Sequence, residues 1–355
     1  MKGKNRGALD VSFNWILVLV AGGAILIFFI VLISNQKNSA ERDMALTIKT
    51  ELDSVFSGAS LSQDRNLEID LPKITLHFTC DFATCTDFSN SNNPNCYSQY
   101  EVGETGINEQ TPSEILFAPF EVSGQKIFTW TLPWNVPFFV TNFLYIGGTT
   151  TKYIFVDNGQ SEILQLYNKF PEKLNKELIP TSSISEIVSE GNKNFKFIFV
   201  NAELSEFPLS EQIITAVESY NINAINIKPT FKQIDFYYFD EENLEFAGST
   251  PYLSEPEIYG AIFSNNLDFY NCNMQKAYNR YHLIARVIAD RSTYLYNNAE
   301  VECKSIYSEN INGLAAIKAS TLVFDVPNIN QLSASISTLQ YANEAAQEKS
   351  CPLIY

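Results

Sequence analysis

The sequence predicts an α/β or α+β protein with a long N-terminal transmembrane helix, a β-rich segment, a Rossmann-like α/β unit with a mostly parallel sheet, and a helical C-terminal region. Three observations carry this prediction. An uncharged apolar run lies near the start, continuous apolar strands alternate with helices in the middle, and apolar residues recur at helical spacing near the end. The segments are 1–7 (a leader), 8–58 (the helix), 66–151 (β-rich), 152–265 (α/β) and 266–355 (helical).

The first element is the apolar run Trp15–Ile33, which contains no charged residue. At 1.5 Å per residue it spans about 28 Å, the thickness of a hydrocarbon core. Lys2, Lys4 and Arg6 precede it and favour a cytoplasmic N-terminus. The run therefore predicts a single-pass cell-membrane protein that contacts the lipid bilayer through this helix and holds its body outside the cytoplasm.

The same helix is predicted to continue beyond the bilayer. Met44, Ile48, Leu52 and either Val55 or Phe56 recur at spacings of three and four, which indicates an apolar stripe. Gly58 then predicts the end of the helix.

The first 58 residues resemble the archaeal and bacterial type IV pilin family, because a short basic leader ends at Arg6-Gly7-Ala8 and a long apolar helix follows. The resemblance implies cleavage between Gly7 and Ala8, and assembly with other pilin-like or surface subunits. The family's Glu at the fifth mature position is Ser12 here, a departure that puts filament assembly in doubt. An uncleaved signal-anchor gives much the same pattern.

The β-rich segment begins with a strand at 67–81, where apolar and polar residues alternate. Gly147-Gly148 lies between two aromatic, β-branched runs and predicts a hairpin turn. The next unit is predicted to contain the strands 153–156, 195–200, 223–227, 233–239 and 244–247. Their continuous apolar character indicates a parallel sheet covered on both faces, with one antiparallel edge.

The C-terminal region is predicted to be helical. Ser254 and Glu257 have the spacing of a capping box at the start of a helix. Helical stripes follow, formed by Met274, Ala277, Tyr281, Ile284 and Ile288, and by Ile329, Leu332, Ile336, Leu339 and Ala346 with Asn343 interrupting the second stripe.

The net charge of −16 excludes a nucleic-acid partner, since such a surface repels phosphate backbones. The chain has only two histidines, His77 and His282, and we interpret both as structural. No nucleophile elbow, zinc-protease or P-loop motif occurs, so neither a catalytic residue nor a cofactor is predicted.

One pair of residues is a candidate metal site. Asp157 follows a predicted strand and Ser161 opens the next helix, the position at which open α/β sheets bind ligands. The pattern resembles the D-x-S-x-S motif of von Willebrand factor A domains, although Gly159 replaces the middle Ser. Asp and Ser are also ordinary turn and capping residues at such a junction.

Six cysteines follow the apolar run: Cys80, Cys85 and Cys96 in one group, and Cys272, Cys303 and Cys351 in another. Each group is odd in number, so complete pairing requires a bridge between them. We predict one such bridge, with the other two cysteines of the first group paired around the loop between them. A cytosolic body would instead hold free thiols.

These features predict a membrane-anchored, extracytoplasmic surface protein without enzymatic activity, of the pilin-like or pseudopilin-like kind. Two alternatives stay open. One is a membrane-tethered module that binds a ligand or partner, and the other is an exported hydrolase.

Overall fold

The protein is α+β, with two six-stranded sheets and helices packed against and between them. The computed structural model describes residues 26–27, 36, 39–80, 98–103, 106–111, 114–204, 209–240, 243–320 and 326–355. Within these ranges, no helix has both the length and the apolar character needed to cross a bilayer. This finding overturns the predicted fold class with its transmembrane helix, and the single-pass membrane location that depended on it. Apart from Leu26 and Ile27, the run Trp15–Ile33 lies outside the described residues.

The first helix, α1, spans residues 39–60 and packs on one face of the first sheet. Ile48, Leu52 and Phe56 of the predicted stripe are buried there. Met44 is 39% exposed, and Ala45 is buried in its place. The predicted stop at Gly58 is wrong by two residues, because the helix continues past Gly58 to residue 60.

The first sheet, sheet A, has the strand order β3-β2-β1-β5-β6-β4. Its neighbouring strands are antiparallel except for β4 and β6, which are parallel. The strands are β1 (Asn66–Cys80), β2 (Ser98–Val102), β3 (Asn108–Thr111), β4 (Ile115–Phe117), β5 (Glu121–Asn135) and β6 (Phe139–Gly148).

The second sheet, sheet B, has the order β12-β11-β10-β9-β7-β8. Four strands, β7 to β10, are parallel, while β11 and β12 form an antiparallel hairpin at one edge. The strands are β7 (Thr151–Asp157), β8 (Lys176–Pro180), β9 (Asn194–Val200), β10 (Ile222–Lys228), β11 (Gln233–Asp240) and β12 (Asn243–Pro251). The antiparallel part thus comprises two strands and not only an edge strand.

The predicted hairpin turn at Gly147-Gly148 is wrong. These glycines end β6 in sheet A, and β7 begins in sheet B after two intervening residues, so the chain crosses between sheets there. A Cβ on Gly147 would lie 2.7 Å from Leu174 Cδ2, and one on Gly148 would lie 2.7 Å from Val122 Cγ1. The pair therefore permits close packing, which the sequence pattern does not distinguish from a turn.

The remaining helices are α2 (Ser161–Lys169), α3 (Glu211–Ala216), α4 (Glu255–Phe263), α5 (Leu267–Asn298), α6 (Val301–Ser320) and α7 (Val326–Glu348). Short 3₁₀ turns occupy Thr181–Glu186, Ser219–Asn221 and Pro229–Phe231. The predicted capping box is present at the start of α4, and α5 and α7 carry the two predicted stripes. Asn343, which interrupts the second stripe, accepts a hydrogen bond from the Ile354 backbone N–H.

Three apolar clusters hold these layers together. One lies between α1 and sheet A, a second joins both sheets through α2, α4 and the start of α5, and a third covers the far face of sheet B beneath α3. Tyr270 of α5 illustrates how the second cluster joins the sheets, because the centre of its ring lies 5.7 Å from that of Phe117 of sheet A and 5.6 Å from that of Phe236 of sheet B. The space between the sheets is therefore the centre of the molecule.

Candidate functional site

The predicted metal-binding pair does not share a partner in the structure. Asp157 Oδ1 accepts a hydrogen bond from the Gly159 backbone N–H at 2.9 Å, and Ser161 Oγ donates to Glu162 Oε2 at 3.1 Å. Among the described residues, no group of three His, Cys, Asp or Glu side chains is placed to hold a metal ion. Both residues thus have local turn and helix-start contacts, and the metal site stays a prediction.

The four described cysteines form one bridge between the two predicted groups and one within the second group. Cys80 of β1 is bonded to Cys272 of α5, and Cys303 of α6 is bonded to Cys351. The first of these confirms the predicted link between the groups. Cys85 and Cys96, like the predicted processing residues Gly7 and Ala8, lie outside the described residues.

Between sheet A and the loop that follows α2 is a cavity of about 260 Å³. We name it the Trp130 cavity. Its walls are largely apolar and aromatic, and they are formed by Phe128, Trp130, Tyr145, Leu174 and Phe263. An engineered apolar cavity of about 150 Å³ binds benzene, so this cavity has room for a substituted ring.

The register of the strands determines which side chains form the aromatic wall of the Trp130 cavity. Trp130 of β5 is paired with Asn66 of β1 on one side and with Tyr145 of β6 on the other. Residues that are paired in adjacent antiparallel strands project from the same face of a sheet, so these three side chains form one row. Phe128 lies two residues from Trp130 and therefore on the same face.

Neighbouring groups fix the orientation of the wall. The Trp130 ring meets the Tyr259 ring edge-on, with centroids 4.8 Å apart. The Tyr145 hydroxyl donates to the Pro256 carbonyl oxygen at 2.7 Å. Both contacts come from α4, so that helix holds Trp130 and Tyr145 in position. The aromatic surface is therefore formed before any ligand arrives.

The mouth of the cavity carries charges of both signs. Glu68 of β1 is hydrogen-bonded to Lys126 and, at 3.3 Å, to Lys173 of the covering loop. Hydrogen bonds from these two lysines lower the pKa of the Glu68 carboxyl. Glu172 is likewise paired with Lys176 at 2.6 Å. Lys126 also lies 3.8 Å from Asp70. Three carboxylates therefore balance three lysines, and the mouth attracts neither anions nor cations strongly.

The sequence did not reveal this cavity. Trp130 alternates with polar residues and Tyr145 lies in an apolar run, patterns that occur in any buried strand, and Leu174 and Phe263 belong to other segments of the chain. The Pro171–Leu174 segment contains a proline and two charged residues, which is typical of an ordinary connection. Only the approach of the loop to sheet A creates the enclosed space.

Comparisons with known proteins identify no relative: no family model, no curated protein and no solved structure matches the chain. The site is therefore interpreted from its own geometry.

Proposed function

We propose that this is a binding protein of an oxidising compartment outside the cytoplasm, which holds one small, neutral, aromatic molecule in the Trp130 cavity. The observation that carries the proposal is the preformed aromatic cavity of about 260 Å³. Apolar cavities with a few polar groups at the edge are typical of small-molecule sites. The two disulfides support the choice of compartment, because such bonds persist where the surroundings are oxidising.

The class of ligand follows from the walls and the mouth. Aromatic walls favour a ring, which gains edge-to-face or stacked contacts worth about 0.5–1.5 kcal/mol per pair. A ligand charge would have to leave water and enter a largely apolar space, which costs free energy unless it is paired. At the entrance, the exposed Asn66 side chain offers a hydrogen bond to a polar substituent such as a hydroxyl group.

The first prediction tests this site with p-cresol as the probe. We expect p-cresol to change the tryptophan fluorescence of the protein saturably and to raise its melting temperature. Phe128→Ala removes one aromatic wall and should weaken binding about 3- to 10-fold, which corresponds to one aromatic contact. Phe120→Ala is the control, because Phe120 is 43% exposed and does not line the cavity.

Two results would contradict the proposal. One is the absence of p-cresol binding to the unmodified protein. The other is an equal affinity in Phe128→Ala and Phe120→Ala. Benzoate and benzylammonium test the charge of the ligand, and both should bind more weakly than p-cresol; tighter binding of either ion would show that the ligand is not neutral.

A second candidate function is that of a pilin-like structural subunit, and the position of α1 favours it. The amphipathic part of the helix that the resemblance implies is the segment that packs on sheet A. A mature chain that begins at Ala8, identified by mass spectrometry of the N-terminal peptide, would support this candidate. Recovery of an N-terminus at Met1 or Lys2 would oppose it.

A further inference from the structure

A second, smaller space lies at the amino ends of the parallel strands of sheet B. It is lined by residues of β7, β9 and β10 and by Ser264 at the C-terminal end of α4. Tyr153, Lys196 and Asn223 are register partners in adjacent strands, so their side chains project from one face toward α4. The space measures about 10 Å³, which admits one guest the size of a water molecule. We name it the Lys196 nook.

Lys196 is a buried amine without a carboxylate partner. Its Nζ donates to the Ser264 carbonyl oxygen at 2.8 Å and lies 5.4 Å from the centre of the Phe236 ring. Burial lowers its pKa to about 7, and no acid among the described residues counteracts that shift. Near the mouth, the Glu121 carboxylate is paired with Lys193 at 3.4 Å. Among the described residues, the charged form of Lys196 therefore has no carboxylate counter-ion.

Three hydroxyl groups of the residues that line the nook are also unsatisfied. Thr151 Oγ1, Tyr153 OH and Ser264 Oγ are buried and have no hydrogen-bond partner among the described residues. A buried polar group without a partner costs about 1–3 kcal/mol, so native structures seldom leave several of them together. A buried ammonium group in a lining that also carries unsatisfied hydroxyl groups has the chemistry of an anion site.

We propose that the Lys196 nook binds one monovalent anion of halide size, which serves as the counter-ion of Lys196. The single positive charge of Lys196 selects a monovalent anion, and the space of about 10 Å³ favours a small monatomic one over sulfate or phosphate. The anion offsets the cost of the buried positive charge and accepts hydrogen bonds from hydroxyl groups of the lining. This proposal does not rest on the ligand proposed for the Trp130 cavity, although Phe263 lines both spaces.

The test compares melting temperatures in sodium chloride and in sodium gluconate at equal ionic strength and at pH 6, where Lys196 is protonated. Chloride at ten times its dissociation constant should raise the melting temperature by about 2 °C relative to gluconate. At pH 9 the difference should shrink, because neutral Lys196 no longer attracts an anion. Tyr153, whose pKa burial raises above its ordinary value, stays neutral across this range.

Lys196→Met should abolish the difference between the two salts. Lys276→Met is the matched control: Lys276 is also a buried lysine, but its Nζ already donates to the Thr111 and Glu114 carbonyl oxygens and to Ser98 Oγ. The control should keep the chloride effect of the unmodified protein. A chloride effect that survives in Lys196→Met would overturn the proposal.

A crystal grown in sodium bromide gives a second readout that does not depend on any variant folding. We expect an anomalous peak in the nook within hydrogen-bond distance of Lys196 Nζ. Bromide peaks only on the outer surface, or a water molecule in the nook together with equal melting temperatures in both salts, would refute the site. Ser264→Ala, which removes one donor, should weaken chloride binding several-fold while leaving Lys196 in place.

Discussion

Among single residues, Glu257 has a pKa that depends on the whole structure and not only on the local sequence pattern. The spacing of Ser254 and Glu257 predicted a capping box, and the box is present. The sequence did not indicate that the carboxyl group is fully buried and that it also accepts a hydrogen bond from Trp134 Nε1 at 2.8 Å. Burial raises the pKa of Glu257 to about 7, while its hydrogen-bond donors oppose that rise.

The stability of the protein should therefore depend on the charge of Glu257. Its folded-state pKa lies above its unfolded value of 4.5, so the native state retains a proton that the unfolded chain loses. That contribution is fully present below pH 4.5 and is lost as the pH rises to about 7. The loss amounts to about 3 kcal/mol.

Urea unfolding of the unmodified protein and of Glu257→Gln between pH 4.5 and 7.5 checks this expectation. The free energy of unfolding should fall less steeply with pH in Glu257→Gln, because glutamine does not titrate. Glu255→Gln serves as the control on the same helix, since the Glu255 side chain is 39% exposed and is paired with Lys169 at 2.7 Å. Parallel pH profiles for the unmodified protein and Glu257→Gln would show that Glu257 is ionised throughout.

Among the helices and strands, the spacing of apolar residues and the local composition predicted most of the element positions. Phe195, Phe197 and Phe199 face one apolar cluster while Ile198 and Val200 face another, which is why β9 reads as a continuous apolar run. Contacts between segments that are far apart in the sequence were harder to predict. Gly147 permits the approach of Leu174, and nothing near Gly147 in the sequence identifies that neighbour.

Helix α1 gives a direct test of the corrected apolar stripe. Leu52→Ala should destabilise the protein by about 2–5 kcal/mol, because Leu52 is fully buried against sheet A and its removal leaves a cavity. Met44→Ala should change the free energy of unfolding by less than about 0.5 kcal/mol, since Met44 is 39% exposed. Chemical denaturation of both variants measures the difference. Equal losses would mean that Met44 belongs to the buried face after all.

In the whole molecule, both proposed sites lie between or beside the two sheets, where segments far apart in the chain meet. The Trp130 cavity combines β5, β6, the loop after α2 and the end of α4, and the Lys196 nook combines β7, β9 and β10 with the same end of α4. Phe263, the last residue of α4, lines both spaces. A periodicity within one segment carries no information about such a meeting, so neither site could be predicted.

Unlike the two sites, the bridge between Cys80 and Cys272 was predicted from the sequence. Each group of cysteines is odd in number, and this alone predicted a link between the two ends of the body. It joins residues 192 apart and ties β1 to α5, with the Cα atoms 6.0 Å apart. In the chain-entropy model, a loop of this length stabilises the folded state by about 5 kcal/mol. The bridge between Cys303 and Cys351 closes a loop of 48 residues and contributes about 4 kcal/mol in the same model.

Removal of each bridge as a pair of alanines should therefore destabilise the protein unequally. We expect the Cys80→Ala/Cys272→Ala variant to lose about 1 kcal/mol more than Cys303→Ala/Cys351→Ala, because the longer loop leaves the unfolded chain with more conformations. The second variant is the matched control, since it also deletes two sulfur atoms and one bridge. Urea denaturation under non-reducing conditions measures both free energies of unfolding. A larger loss in the Cys303→Ala/Cys351→Ala variant would mean that local packing, and not the restriction of the unfolded chain, sets the value of these bridges.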